Sequence, residues 1–206
     1  MKHACLLTAV AAIHWGSGVS AAPPADFDLE GWHSAREARL EAGMVTLLGW
    51  GAASVAGGLA GRVLAEGRQA QGFWEMTAGW GFVNAGLAVT SLLTFGEEAT
   101  TRASLGASLE ASHDLSTVFW LNAGLDVGWM AMGAWLQERG RGRGDARAEG
   151  FGQAVVIQGA ALLAFDVVMG LLESGAASDL YPIVGQSLQS GHPGQAVQTF
   201  GLGGHF

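Results

Sequence analysis

The sequence predicts an all-α integral membrane protein, a four-helix bundle preceded by a cleavable signal peptide. Three observations lead there. The apolar residues fall into four long runs, each about 20 residues, which is the length of helix that crosses a ~30 Å hydrocarbon core at 1.5 Å per residue. The composition is that of a membrane protein: half of the 206 residues are hydrophobic, only 14 % are charged, and glycine occurs 33 times. The arginines are also unevenly placed around the runs, with six in the loops after the first and third and three elsewhere. The runs lack the alternation of barrel strands and are rich in Ala, Gly and Leu, which argues for helices.

In chain order, Lys2 and His3 precede an apolar stretch from Ala4 to Ile13 that is too short to span a bilayer. Val19-Ser20-Ala21 then places small residues for cleavage, so residues 1–21 read as a signal peptide. Cys5, the sole cysteine, lies within it, so the mature chain has no thiol for a disulfide, a metal site or a nucleophile. Residues 22–42 are a polar, acidic exterior segment, with one or two helical turns expected from Ser34 to Glu41. The transmembrane domain covers 43–173, with spans at about 43–64, 73–95, 115–136 and 150–172. The loop after the second span carries Leu105 and Leu109 four apart and reads as a short interfacial helix. Residues 174–206, rich in Gly, Ser and Gln, read as a flexible exterior tail in which only Leu180 to Val184 would dock on a surface.

Arg62, Arg68, Arg139, Arg141, Arg143 and Arg147 follow the first and third spans, against Arg36, Arg39 and Arg102 on the other side. The positive-inside rule then sets both termini outside a bacterial inner membrane, with Arg139, Arg141, Arg143 and Arg147 as the main orientation signal. This agrees with the orientation that a cleaved signal peptide imposes.

Two kinds of feature stand out inside the spans. The first is small-residue ridges: Gly49, Ala53, Gly57 and Gly61 lie four apart in the first span, and Gly124 and Gly128 in the third. Lipid supplies no hydrophobic drive for helix pairing, so close backbone approach over such ridges is expected to pack helices together. The second is polar: Asn84 in the second span, Asn122 and Asp126 in the third, Gln158 and Asp166 in the fourth. At the predicted depths these five residues can form one intramembrane cluster. Inserting an Asp at a helix centre costs about 2.5–3.5 kcal/mol, whereas interhelical hydrogen bonds in membranes average about 0.6 kcal/mol. Apart from Arg62 near the inner end of the first span, no Lys, Arg or His lies within the spans. Trp74, Trp120 and Trp135 read as interface-belt residues, and Trp50, Trp80 and Trp129 as packing. Glu75 reads as a solvated group at the inner end of the second span.

The segments Trp80-Gly81-Phe82-Val83-Asn84, Phe119-Trp120-Leu121-Asn122-Ala123-Gly124-Leu125-Asp126-Val127-Gly128, Glu138-Arg139-Gly140 and Gln158-Gly159 through Asp166 resemble those of an uncharacterised bacterial family. It is a domain-of-unknown-function group of small four-helix membrane proteins, and the resemblance covers roughly residues 40–175. It implies the fold and a membrane location, and supplies no activity. Where that family's second span often opens Phe-His-x-Met-Asn, this chain has Phe73-Trp74-Glu75-Met76-Thr77.

The functional expectations are correspondingly narrow. The net charge of −8 without a basic stripe argues against nucleic acid. No Ser/His/Asp set has a believable context, Glu110, His113 and Asp114 are a poor metal set, and no cofactor is implied. A non-enzymatic assembly or binding protein leads, with the lipid bilayer and a second copy or another membrane protein as partners. A small ion, proton or solute conduit using Asp126 and Asp166 is the alternative. An integral-membrane enzyme is third.

Overall fold

The computed structural model describes residues 23–24, 26–94 and 104–190. Among these there are four helices and no strands: α1 (Leu29–Leu64), α2 (Arg68–Thr94), α3 (Leu105–Arg143) and α4 (Ala146–Ser190). The signal-peptide segment and residues 191–206 lie outside the described residues. Three helices, α1, α2 and α4, are long and apolar enough to cross a membrane. Large apolar side chains such as Phe82, Leu93, Leu121, Leu125 and Leu171 stand exposed on the outside of the bundle. A girdle of that kind marks a surface made for lipid or for a partner.

The helices are longer than the spans read from hydropathy, and the three largest extensions lie at one end. The segment expected as a polar lead-in is helical from Leu29, started by Asp28, whose Oδ1 accepts from the Gly31 amide at 2.8 Å. The expected interfacial helix is the first part of α3, whose N-cap Ser104 accepts from Ala107 N. Residues 174–190, expected to begin a flexible tail, continue α4 with Ala176, Ala177 and Leu180 buried. Hydropathy ended these elements early because their surface is polar, while their buried faces are narrow.

Two helical hairpins make the bundle. α1 packs on α2 and α3 on α4, and the two hairpins join where α2 meets α4. The turns are short. Gly67, at φ 86°, lies between α1 and α2. Gly144, at φ 70°, ends α3: its amide reaches Arg141 O, and the next amide reaches Gly140 O. That left-handed position is open to glycine at little cost, and the double bond satisfies carbonyls that the helix end would leave bare. Asp145 then caps α4 through Ala148 N at 3.2 Å. The bundle therefore has a turn end and a termini end.

Backbone contact holds each hairpin. A Cβ on Gly51 would lie 2.6 Å from Ala85 N, and one on Gly58 would lie 2.5 Å from Ala78 N. On α3 and α4, a Cβ on Gly133 would lie 2.9 Å from Gly152 O, and one on Gly140 would lie 2.5 Å from Glu149 N. The ridges that pack are therefore Gly51, Ser54 and Gly58 on α1, and Gly133 and Gly140 on α3. The ridges expected from spacing do not pack within the chain, apart from Gly61, which lies against the Trp74 ring. Gly49, Gly57, Gly124 and Gly128 meet nothing within 4 Å, and Ala53 is exposed. Toward the termini end the contacts change to side chains: Leu40, Met44, Leu47, Ala88, Phe119 and Met169 form the apolar core.

Candidate functional site

Four of the five polar residues singled out in the sequence are buried and Asn122 is half-buried at the edge of the interior, and they form two groups rather than one cluster. Asn84 and Gln158 are almost fully buried, at 0 % and 2 % exposure. They sit where α2 meets α4, and α1 completes the group. Gln158 Oε1 accepts from Trp50 Nε1 at 2.9 Å and from Asn84 Nδ2 at 3.5 Å, while Gln158 Nε2 donates to Ser54 Oγ at 3.2 Å. One amide thus ties three helices, which is what a side chain with both donors and an acceptor can do where water is absent. Trp50, expected as packing, is a hydrogen-bond donor here, with about 40 % of its surface exposed.

The second group is the carboxyl pair on α3 and α4. Asp126 on α3 and Asp166 on α4 are each buried and are close enough for their carboxyl groups to influence one another, with Asn122 near Asp166. Two neighbouring carboxyl groups could hydrogen-bond each other only with a proton on one of them, since ionised carboxylates only accept. One Asp126 oxygen, Oδ2, is buried with no partner, as is Asn84 Oδ1. Among the described residues no cation pairs with either aspartate.

The surroundings of the pair differ along the bundle. Toward the turn end, α3 and α4 touch backbone to backbone at Gly133 and Gly152, leaving no room between them. Toward the termini end the same seam passes Phe119 and Phe165, packed edge to face with centroids 6.3 Å apart. Beyond that layer it turns polar. Ser116 Oγ lies 2.7 Å from Ser174 Oγ, and Ser174 donates to Gly170 O at 2.7 Å.

At the termini end, where polar surface was expected, there is a second buried layer. Arg36 Nε donates to Glu173 Oε2 at 2.8 Å, with both side chains at least nine-tenths buried. His33 and Ser108 are also buried, with His33 Nε2 3.1 Å from Ser108 Oγ. Sequence reasoning missed this layer. The signals were spacing signals: Glu173 lies seven residues beyond Asp166, on the same face, and Ser108, Ser112 and Ser116 recur every fourth residue.

The arginines used to orient the chain do gather at the turn end. Glu75 on α2 bridges Arg62 of α1 and Arg147 of α4, and Arg141 reaches Glu138 and Glu149. Arg139 stacks 5.0 Å above the Trp135 ring centroid. These pairs are partly or wholly exposed, so they set register more than stability. A cavity of about 620 Å³ lies beside this layer, between Glu66, Arg68, Gln69, Trp74 and Gln153, away from the carboxyl pair. No group of three or more His, Cys, Asp or Glu side chains able to hold a metal occurs among the described residues.

A family model described as "Family of unknown function (DUF6992)" matches residues 46–167. The chain belongs to this family. The matched region begins inside α1 and ends one residue past Asp166, so all five polar residues fall within it and the Arg36–Glu173 pair falls outside. No curated protein and no solved structure matches the chain.

Proposed function

We propose that the chain is a non-enzymatic bacterial inner-membrane bundle that crosses the bilayer four times, both termini exterior, and binds a proton at the Asp126–Asp166 pair. The supporting observation is the pair itself: two buried, neighbouring carboxyl groups on α3 and α4, with no cation paired to them among the described residues and one oxygen unpartnered. Structural glue alone accounts poorly for two aspartates where an amide pair would hold the helices at lower insertion cost. The tight Gly133–Gly152 contact on the turn side and the Phe119–Phe165 contact on the other argue against a continuous path along the α3–α4 seam. That makes it a proton- or small-cation-binding site, in preference to a continuous conduit.

A second reading, assembly, is favoured by a separate observation. The ridge of Gly49, Ala53 and Gly57 and the step of Gly124 and Gly128 face away from the chain's own helices. Such faces suit close packing against a second copy or another membrane protein.

One experiment separates the two. The protein in lipid nanodiscs is followed by infrared difference spectroscopy as pH and alkali-cation concentration are changed. The proton-binding reading expects a protonated-carboxyl C=O band that responds to one or both, and that is lost in Asp126→Asn and Asp166→Asn with oligomeric state unchanged. A band that never responds, together with loss of assembly in the same variants, would leave assembly as the function.

A further inference from the structure

A second, smaller cavity of about 310 Å³ opens between α3 and α4 at the termini end, lined by His113, Ser116, Thr117, Trp120, Ser174 and Tyr181. Its construction is specific. The floor is a fixed polar network: Trp120 Nε1 donates to Ser174 Oγ at 3.3 Å, Ser116 and Ser174 share a 2.7 Å contact, and Ser174 donates to Gly170 O. The Trp120 indole lies against Gly170, where a Cβ would sit 3.2 Å from the ring, so the glycine sets the ring's tilt. The ring is thus held by hydrogen bond and contact while about 43 % of Trp120 remains exposed. Tyr181, 55 % exposed, and the exposed His113 complete the lining.

We infer that this cavity binds a sugar or polyol group. Its lining combines two half-exposed aromatic side chains, Trp120 and Tyr181, able to stack on the C–H face of a pyranose or glycerol unit, with the Tyr181 hydroxyl and the His113 imidazole, which can donate and accept to a sugar's hydroxyls. No Asp, Glu, Lys or Arg lines it, so neither a phosphate nor an ammonium gains an ion pair there. A quaternary ammonium could sit on the aromatic rings, but it makes no hydrogen bond to the Tyr181 hydroxyl or the imidazole. The cavity is independent of the carboxyl pair: Asp126 and Asp166 are not among its lining residues. The same chemistry could arrive as the headgroup of a glycolipid in the outer leaflet or as a free saccharide.

The test uses the full chain, delipidated in detergent. Native mass spectrometry compares retention of a glucosyl diacylglycerol, a phosphatidylethanolamine and a phosphatidylcholine with identical acyl chains. Saturation-transfer NMR with methyl β-glucoside reports on free sugar. The expected result is glucosyl-lipid retention about tenfold above the other two, equivalent to about 1.4 kcal/mol, with the preference abolished in Trp120→Leu/Tyr181→Leu. Saturation transfer to methyl β-glucoside without a lipid preference, again lost in the double variant, supports the site with a soluble ligand. Both substituted side chains are half-exposed, so the fold should survive, as gel filtration checks. If it does not, Gly170→Ala, which displaces the indole without deleting it, decides by reducing the preference. Equal retention of all three lipids with no saturation transfer, a preference for the choline lipid, or a glucosyl preference unchanged in the variants overturns the inference.

Discussion

Arg36→Met is the substitution that most directly probes the termini-end layer. It removes the guanidinium from a pair whose two side chains are 9 % and 1 % exposed, and leaves the Glu173 carboxylate buried with its other oxygen already unpartnered. Breaking one side of a buried ion pair costs about 3–5 kcal/mol, because the surviving charge keeps its desolvation penalty and loses its partner. For a chain of this size about 1 kcal/mol corresponds to roughly 2–4 °C, so the melting temperature should fall by roughly 6–20 °C. Arg36→Met/Glu173→Met should recover most or all of that loss, since replacing both charges with apolar side chains of similar volume is neutral or stabilising. Glu173→Gln should cost less than Arg36→Met, because the long arginine stem at the open end of the bundle can carry its charge to solvent. The assay is reversible thermal unfolding in detergent, followed by circular dichroism and completed as a double-mutant cycle. If Arg36→Met shifts stability by less than about 1 kcal/mol, the pair behaves as a surface contact and the reasoning fails.

Two further outcomes follow from the packing. Gly51→Val and Gly133→Val should disrupt the monomer fold, because each side chain would meet a neighbouring backbone within 3 Å, whereas Gly49→Val and Gly124→Val should leave the monomer intact; expression and monodispersity in detergent compare the four directly. Leu180→Ala, at a position with no exposed surface, should cost about 2–5 kcal/mol in the same thermal assay, a cost that a residue in a mobile tail would not show.

Much of the candidate site is legible in the sequence. Asn84, Asn122, Asp126, Gln158 and Asp166 are all in the interior or at its edge, because a polar group in an apolar helix has few tolerable places other than the bundle interior. Their division into two groups is not legible there. Gln158 turns toward Trp50 and Ser54, and nothing in the spacing of one helix says which of two neighbours a side chain will meet. The Arg36–Glu173 layer is hidden for a related reason: its partners lie 137 residues apart, on stretches polar enough to pass for solvated surface.

By itself the sequence determined that the chain is helical, roughly where the four long helices of the described residues lie, and which residues are too polar for lipid. Backbone hydrogen bonding and hydrocarbon thickness impose those features on any chain with such long apolar runs. Only the tertiary structure decided how each helix is rotated about its axis. α1 has two small-residue ridges, and the one through Gly51, Ser54 and Gly58 faces α2 while the one through Gly49, Ala53 and Gly57 faces outward. Lipid tails are as apolar as the bundle interior, so hydrophobicity cannot choose between two apolar faces. Shape complementarity with the neighbouring helix makes that choice, and it is a property of pairs of helices that no single helix carries.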